Sequence, residues 1–243
     1  MSGRVSNNME KRYLVVIPAR GGSKRLPGKN LMKIGDHSLI GHAIESVRHL
    51  DSIHEICVTT DDQGIADEAL GYGPYVHFMR PESLASDEAK TFDVVRHAIQ
   101  WFRDKGAEFD AVILLQPTSP LRNQQHIQEA IQLFEKRDAQ AVVSVCQLDH
   151  PVEWCAQLGP SGSMEAFGKN LGAQKRSQDL APTFRLNGAL YIYDIDILSE
   201  NNSFFYNDQT YAYEMDIPSS TDVDTYEDFL LATFWKGLKS EDE

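Results

Sequence analysis

The sequence predicts an α/β fold in which a doubly wound, mostly parallel sheet has helices on both faces. Short apolar runs rich in β-branched residues alternate with segments of helical period. Continuous apolar strands are typical of parallel sheets, because helices cover both faces of such sheets. The alternation recurs from residue 13 to about residue 146, which is the β-α-β order that this class of fold requires.

Each element is predicted from its own pattern. Tyr13–Pro18 (YLVVIP) and Ala111–Leu115 (AVILL) are the clearest apolar runs. Helices are predicted where apolar residues repeat every three or four positions. The remaining strands are predicted at residues 55–60, 75–79, 141–146, 187–193 and 211–216, and the helices at residues 38–50, 63–70, 91–105, 124–137 and 224–238.

Residues 148–183 interrupt this order with clusters of Gly, Pro and Ser. A loop of this length inside a compact domain is usually functional or part of an interface. The chain of 243 residues fits one domain. We therefore expect a single domain over residues 1–243 that carries an excursion at about residues 148–183.

Composition excludes several classes of protein. A net charge of −13 argues against a general nucleic-acid or anionic-membrane binder, since negatively charged partners bind to basic surfaces. The three cysteines, Cys57, Cys146 and Cys155, have no metal-ligand spacing and an odd count. No apolar stretch approaches the ~20 residues that span a bilayer, and no secretory signal is visible. We expect a soluble cytoplasmic protein.

The segment IPARGGSKRLPGKN, residues 17–30, follows the first predicted strand. Five basic residues and no acid lie between positions 20 and 33. Gly21 and Gly22 permit positive φ and close approach of a ligand, and successive N–H groups there can hold an anion. The loop is neither a Walker A motif nor a GxGxxG fingerprint, and a solvated surface loop is the alternative. Its place after a strand favours phosphate binding.

The same segment resembles the signature of the CMP-N-acylneuraminate synthetases, cytidylyltransferases that activate nine-carbon acidic sugars. Four later segments resemble further motifs of that family in the expected order, and together they extend from residue 13 to about residue 232. They are RPESLASDEAKT (80–91), LLQPTSPLR (114–122), FRLNGALYI (184–192) and DVDTYED (222–228). The resemblance implies a nucleotide-diphospho-sugar transferase-like fold. It also implies a reaction of CTP with a nonulosonic acid that yields the CMP-sugar and pyrophosphate.

The resemblance also implies roles for particular residues. The catalytic residues would be Arg20, Lys24 and Lys29, which neutralise the triphosphate and the departing pyrophosphate. The nucleotide would be bound by residues of the loop and of the second motif, namely Arg20, Gly21, Gly22, Ser23, Asn30, Arg80 and Thr91.

The sugar-binding residues implied are Gln116, Thr118, Ser119, Arg185 and Asn187. The first three directly follow a predicted strand, and hydroxyl and amide groups suit a polyhydroxylated ligand. A strand-ending turn is the alternative for them, since Pro, Thr and Ser are common in turns. For Arg185, the expected contact is planar bidentate recognition of the sugar carboxylate or a contact next to it.

The resemblance makes Asp222 and Asp224 the candidate Mg²⁺ ligands, whereas the residues alone favour a helix cap. Hard carboxylate oxygens suit Mg²⁺, which commonly takes one or two protein carboxylates together with substrate phosphates. The alternative is a helix cap, because Asp224 and Glu227 have the spacing of a capping box.

Several alternatives remain open at this stage. A CMP-Kdo synthetase acts on an eight-carbon acid, but Asn30 and the FRLNG segment favour the nonulosonate branch, of N-acetylneuraminate or legionaminate type. A catalytically silent nucleotide or sugar sensor is the second alternative. The family further implies a homodimer in which the excursion pairs two subunits, with Arg176, Gln178 and Asp179 as candidate lid or dimer contacts.

Overall fold

A computed structural model describes residues 11–170 and 180–241, and Arg176, Gln178 and Asp179 lie outside that range. The strands are β1 Tyr13–Pro18, β2 Lys33–Ile34, β3 His37–Ser38, β4 Ile53–Thr59, β5 Ala111–Leu115, β6 Ala141–Gln147, β7 Phe184–Asp194 and β8 Thr210–Met215. The α-helices are α1 Leu39–Glu45, α2 Gln63–Leu70, α3 Thr91–Asp104, α4 Gln124–Lys136, α5 Glu165–Asn170, α6 Ile195–Asn201 and α7 Tyr226–Glu241.

Six strands form one sheet in the order β4-β1-β5-β7-β6-β8. β1 is parallel to β4 and β5, and β6 is parallel to β8, whereas β7 is antiparallel to both of its neighbours. The predicted mostly parallel sheet is confirmed. β6 and β7 follow one another along the chain and are neighbours in the sheet, an arrangement that antiparallel pairing permits without a crossover.

Helices cover both faces of the sheet, as the predicted double winding requires. In β1, Val15 and Ile17 pack with α1, α2 and α4 on one face. Leu14 and Val16 pack with α3 and α6 on the other. This alternation explains why the strand is apolar at every position, and it fixes β1 at the centre of the core.

The strand predicted at residues 75–79 is wrong. This segment runs beside β4 but makes only an isolated bridge between Thr60 and Met79, and Val58 N donates to Tyr75 O at 2.8 Å. Between these points the His77 ring nitrogen Nε2 lies 3.1 Å from Ile56 O, which a neighbouring strand would bind through its backbone. The His77 side chain therefore takes the place of a backbone hydrogen bond that a neighbouring strand would make to β4.

The boundaries of other elements differ from the prediction. The first helix ends at Glu45 rather than at residue 50, and Ser46 Oγ donates to Ala43 O at 2.7 Å. A hydrogen bond from a side chain to a nearby backbone carbonyl competes with the backbone bonds that would continue the helix. β7 is longer than the strand predicted at residues 187–193, and α7 begins at Tyr226 rather than at residue 224. Neither α6 nor the β2–β3 hairpin was predicted from the sequence. None of the described helices is long and apolar enough to cross a membrane.

Candidate active site

A cavity of about 390 Å³ opens beyond the carboxyl ends of β1 and β5. Four of the five motifs contribute to its lining. The basic loop supplies Arg20, Arg25, Lys29 and Asn30, the second motif supplies Arg80, Asp87 and Thr91, and the others supply Gln116, Thr118, Asp222 and Asp224. In doubly wound sheets, ligands bind at this end of the strands.

A larger depression of about 870 Å³ lies at the opposite end of the strands. Its lining includes Arg12, Asp110 and Asp194, and Arg12 N donates to Asp110 Oδ2 at 2.7 Å. Larger volume alone does not make a site, and the position of the 390 Å³ cavity is the one that this fold uses for ligands.

The basic loop is held in shape by its own residues and by neighbouring acids. Gly28 has φ of 69°, a left-handed conformation that favours glycine. A Cβ on Gly21 would lie 2.6 Å from Asp62 Oδ2, so only glycine fits beside that carboxylate. The buried Asn30 side chain donates from Nδ2 to Arg20 O at 3.0 Å. Asn30 therefore joins the two ends of the loop.

Two carboxylates hold the cations of the loop. Asp224 accepts from Lys29 Nζ at 2.9 Å and from Arg25 Nη2 at 2.7 Å. Asp87 accepts from Arg20 Nη1 at 2.8 Å and from Lys24. These bonds from Lys24 and Arg20 lower the pKa of Asp87. Arg20, Arg25 and Lys29 thus lie at the cavity before any phosphate is bound.

Asp222 has very different surroundings from Asp224. Its Oδ1 atom is buried and has no partner among the described residues. Burial raises the pKa of Asp222, although a hydrogen bond from Thr118 acts in the opposite direction. Val223 N donates to Thr118 O at 2.7 Å, which fixes the Asp222–Asp224 segment beside the turn after β5.

The two aspartates fit a divalent cation of the substrate-bound kind. Residues 11–170 and 180–241 contain no group of three or more His, Cys, Asp or Glu side chains placed to hold a metal ion. Mg²⁺ needs only one or two protein carboxylates when substrate phosphates complete its shell. Oδ1 of Asp222, which is buried and has no partner among the described residues, is the candidate ligand atom.

The capping alternative for Asp224 is wrong. The N-terminus of α7 is capped by Thr225 and Asp228 instead. Thr225 Oγ1 accepts from Asp228 N at 3.2 Å, and Asp228 Oδ2 accepts from Thr225 N at 2.8 Å. This reciprocal arrangement is a capping box displaced by one residue from the predicted pair. Both Asp224 oxygens remain with the loop cations.

Arg80 lies in the wall of the cavity. The side chain is buried, and its guanidinium donates to Thr59 O and, at 3.5 Å, to Leu84 O. Burial lowers the pKa of Arg80. Its Nε has no partner among the described residues, and Thr91 begins α3 beside it.

The predicted sugar-binding residues divide into two groups. Gln116 and Thr118 line the cavity, whereas Ser119 is buried and does not. Arg185 is exposed on β7 with Nη2 3.5 Å from Ser220 O, and it is not part of the lining. Arg185 pairs with Cys146 at the end of β6, and the pairing of β7 with β5 ends at Leu190.

Asn187 is buried in a hydrogen-bond network outside the cavity. Its Oδ1 accepts from Ser144 Oγ at 2.6 Å, and its Nδ2 donates to Ser220 Oγ at 2.9 Å. The network connects β6 and β7 to the segment that leads into Asp222. The apolar runs that predict β6 and β7 in the sequence give no signal of such cross-strand bonds.

Among the predicted loop residues, Gly21, Gly22, Ser23 and Lys24 do not line the cavity. Two residues that line the cavity, Arg25 and Asp87, had no predicted role. Both belong to the quoted motifs, but their pairing partners are distant in sequence, so only the fold brings them together.

Geometry and sequence comparison agree on the class of protein, an enzyme that transfers nucleotidyl groups. Residues 14–239 match the family model described as cytidylyltransferase, and the chain belongs to that family. It is 36% identical over 236 residues to the CMP-N,N'-diacetyllegionaminic acid synthase of Legionella pneumophila, which covers 95% of this chain and 98% of the relative.

Other relatives support the same family. The chain is 33% identical to the N-acylneuraminate cytidylyltransferase of Escherichia coli, across 92% of this chain but 52% of the relative. A CMP-2-keto-3-deoxy-manno-octonic acid synthetase solved with CTP superposes with a TM-score of 0.69 at 18% identity, covering 96% of this chain and 100% of that one. The low identity makes this last likeness one of fold, so it gives the CMP-Kdo alternative little support.

Proposed function

We propose that this chain transfers a cytidylyl group from CTP to a nonulosonic acid of legionaminate or N-acetylneuraminate type. The products are the CMP-sugar and pyrophosphate. The observation that carries this proposal is the cavity in which Lys29 and Arg25 face Asp222 and Asp224 at the carboxyl end of the sheet. The names of the Legionella and E. coli relatives support the choice of sugar class.

The loop cations bind the triphosphate. Arg20 and Lys29 are catalytic residues that neutralise the charge of the triphosphate and of the departing pyrophosphate, and Lys24 adds charge from the rim. The N–H groups of Gly21, Gly22 and Ser23 form the anion-binding backbone once those of Gly21 and Ser23 leave their present acceptors, Asp61 Oδ1 at 3.2 Å and Gly21 O at 3.0 Å. Asp87 and Asp224 hold these cations in place beforehand, which reduces the side-chain entropy lost when CTP binds.

The cytidine part occupies the side of the cavity next to Arg80 and Thr91. The Nε–H of Arg80, which is buried and has no partner among the described residues, is the donor that we assign to a base oxygen. Asn30 contributes by fixing the loop through Arg20 O, since its amide nitrogen is already engaged there.

The sugar acid lies beside the turn after β5. Gln116 and Thr118 contact its hydroxyl groups. Ser119 and Asn187 are positioning residues beneath this wall, because both are buried away from the cavity. Arg185, exposed at the end of the sheet near the excursion, recognises the carboxylate.

Asp222 and Asp224 hold Mg²⁺ together with the phosphates of CTP. Bound there, the ion neutralises charge on the phosphate oxygens. Asp222 would supply Oδ1, which has no partner among the described residues, and Lys29 holds Asp224 by donating to its Oδ1 at 2.9 Å.

The reaction is an in-line displacement at the α-phosphorus of CTP. The anomeric hydroxyl oxygen of the sugar forms the new P–O bond, the bond from the α-phosphorus to the bridging oxygen of pyrophosphate breaks, and the hydroxyl proton is released. Such a step needs positioning and charge neutralisation rather than a covalent enzyme intermediate.

We place the whole chain, residues 1–243, in one domain, with the excursion at about residues 148–183 as the element that pairs two subunits. Its described part exposes apolar side chains at Val152, Trp154, Leu158 and Met164, as interfaces do. The homodimer belongs to the cytoplasm, where free thiols such as those of Cys57 and Cys146 persist.

The test is pyrophosphate release from CTP with Mg²⁺, run in parallel with N-acetylneuraminic, legionaminic, pseudaminic and Kdo acids. We expect release with a nine-carbon acid and none with Kdo. CTP binding without release from any of the four acids would favour the silent sensor, and release with Kdo alone would return the assignment to the eight-carbon acid.

A further inference from the structure

Arg122 is a buried residue of the LLQPTSPLR segment that the proposed reaction does not use. Its side chain is 3% exposed. Nη1 donates to two backbone carbonyl oxygens, that of Ala189 at 2.6 Å and that of Gln116 at 3.0 Å. Nε and Nη2 are buried and have no partner among residues 11–170 and 180–241. Within those ranges, one nitrogen therefore makes both hydrogen bonds of this guanidinium.

Burial of the Arg122 guanidinium costs free energy. It lowers the pKa of Arg122, because the charged form loses its contact with water. Buried donors without acceptors add to this cost. Replacing a buried charge with an apolar residue is often neutral for stability. The role of Arg122 is therefore to be sought in its two backbone bonds.

The two carbonyls lie where β5 and β7 separate. The pairing of these strands ends with Leu115 opposite Leu190, and Gln116 and Ala189 are the next residues on the two strands. Gln116 begins the turn that lines the candidate active site, and Arg122 lies at the far end of that turn. Its side chain therefore closes the turn and ties it to β7.

The Gln116 side chain lies against β7 at the same point. A Cβ on Gly188 would be 3.1 Å from Gln116 Oε1, so the amide packs on the bare backbone of that glycine. Gly188 directly precedes Ala189, whose carbonyl Arg122 binds. The spacing that Arg122 sets between the two backbones is therefore the spacing in which the Gln116 amide lies.

We propose that Arg122 is a positioning residue for the sugar acid and acts through Gln116. The inference rests on the proposed function, in which the Gln116 side chain contacts the sugar. Gln116 lines the cavity, whereas Arg122 does not. By holding the backbone of Gln116 to that of Ala189, Arg122 fixes the direction of the amide, and a misplacement of about 1 Å in such a group can cost about 100-fold in rate.

The test is steady-state pyrophosphate release by the full chain, with CTP and the active sugar acid varied in turn. Arg122→Met removes the donors but keeps an unbranched side chain. Arg122→Lys is the conservative variant, because both bonds come from one nitrogen and an ammonium group has three donors. Each substitution is also made in a Gln116→Ala chain.

We expect Arg122→Met to raise the KM for the sugar acid about tenfold and to leave the KM for CTP within about twofold. Arg122→Lys should recover most of this loss. Its side chain is one atom shorter, so a residual rise of about threefold for the sugar acid alone is expected. In the Gln116→Ala chain neither substitution should raise the KM for the sugar acid further, since residues that act through one another are not additive.

Equal rises in the two KM values would overturn the inference, as would an effect on the sugar acid that is undiminished in the Gln116→Ala chain. If Arg122→Met does not fold, Arg122→Lys decides the matter, and the absence of a selective rise in that variant would also overturn the inference. A different outcome, no release by the unaltered chain with any of the four acids, would overturn the proposed function and this inference with it.

Discussion

Asp222 and Asp224 are two residues apart, yet the fold gives them different chemistry. Asp224 is neutralised by Lys29 and Arg25, whereas Asp222 is buried with one oxygen unpartnered. A buried carboxylate favours its neutral form unless a cation is nearby. We therefore expect Asp222 to be the more direct metal ligand and Asp224 to be the residue that connects the metal to the basic loop.

Asp222→Asn should lower turnover by about 100-fold or more, because it removes an electrostatic contact to the reacting phosphates. The pKa of Asp222 is raised in the folded chain, so its ionised form destabilises the fold above the unfolded pKa. The variant should be at least as stable at about pH 7, and its advantage should shrink toward pH 4. Pyrophosphate release and thermal unfolding at both pH values measure this.

The matched control for that experiment is Asp228→Asn. Asp228 caps α7 through Thr225, so its loss should lower the unfolding temperature, by an amount corresponding to about 1 kcal/mol, with a smaller effect on turnover. A stability loss with preserved turnover for Asp222→Asn would remove Asp222 from the metal site.

The basic residues of the loop should differ in importance. The Lys29 side chain is 15% exposed and lines the cavity, whereas that of Lys24 is 80% exposed and bonds Asp87 at its rim. Lys29→Ala should lower turnover by about 100-fold, while Lys24→Ala should lower it by about tenfold or less, since exposed charges are screened. Comparison of kcat and kcat/KM for the two variants tests this; equal effects would contradict the separation of roles.

At the scale of elements, β7 shapes the sugar side of the site. The pairing of β6 with β7 shifts register between Val143 and Val145, near Asn187 and Gly188. Gly188 has φ of 77°, and a Cβ there would lie 3.1 Å from Gln116 Oε1. This irregular point of the strand lets the Gln116 side chain lie against the backbone.

Gly188→Ala should therefore affect the sugar more than the nucleotide. The left-handed conformation costs a non-glycine residue about 1 to 2 kcal/mol, and the new methyl group displaces Gln116. Denaturant unfolding should show that loss. In steady-state kinetics the KM for the sugar acid should rise several-fold while the KM for CTP stays nearly constant. An equal rise in both would place Gln116 outside the sugar site.

The elements show what a single sequence can and cannot predict. The bounds of β1 and β5 follow directly from their apolar runs, because a doubly covered strand is apolar throughout. The direction of β7 has no such signal, since its apolar residues suit either orientation. Because β7 is antiparallel to β5, its amino end, which is the FRLNG segment, lies at the same edge of the sheet as the carboxyl end of β5, although it does not line the cavity.

Contacts between motifs that are far apart in the sequence could not be predicted either. Arg25 and Asp224 are 199 positions apart, and their pairing depends on how β1 and the segment after β8 are placed by the sheet. The motifs predicted that a phosphate site exists. Which cation meets which carboxylate is a property of the fold.

At the scale of the whole molecule, exposed apolar side chains indicate association. We expect the chain to be a dimer by light scattering. Leu158 of the excursion is 63% exposed, so Leu158→Asp should shift the dimer toward monomer at little cost to the monomer fold. Phe234→Asp on the exposed face of α7 serves as the comparison. A shift caused by Phe234→Asp alone would move the interface from the excursion to α7.

The central claim, sugar attack on the α-phosphorus at this cavity, is tested most directly by an isotope measurement. The sugar acid that is active in the four-acid comparison is labelled with ¹⁸O at its anomeric hydroxyl and incubated with CTP and Mg²⁺. The masses of the products are then measured by mass spectrometry. We expect the label in the CMP-sugar and none in pyrophosphate. An unlabelled CMP-sugar would show that the anomeric C–O bond breaks instead, and would contradict the mechanism.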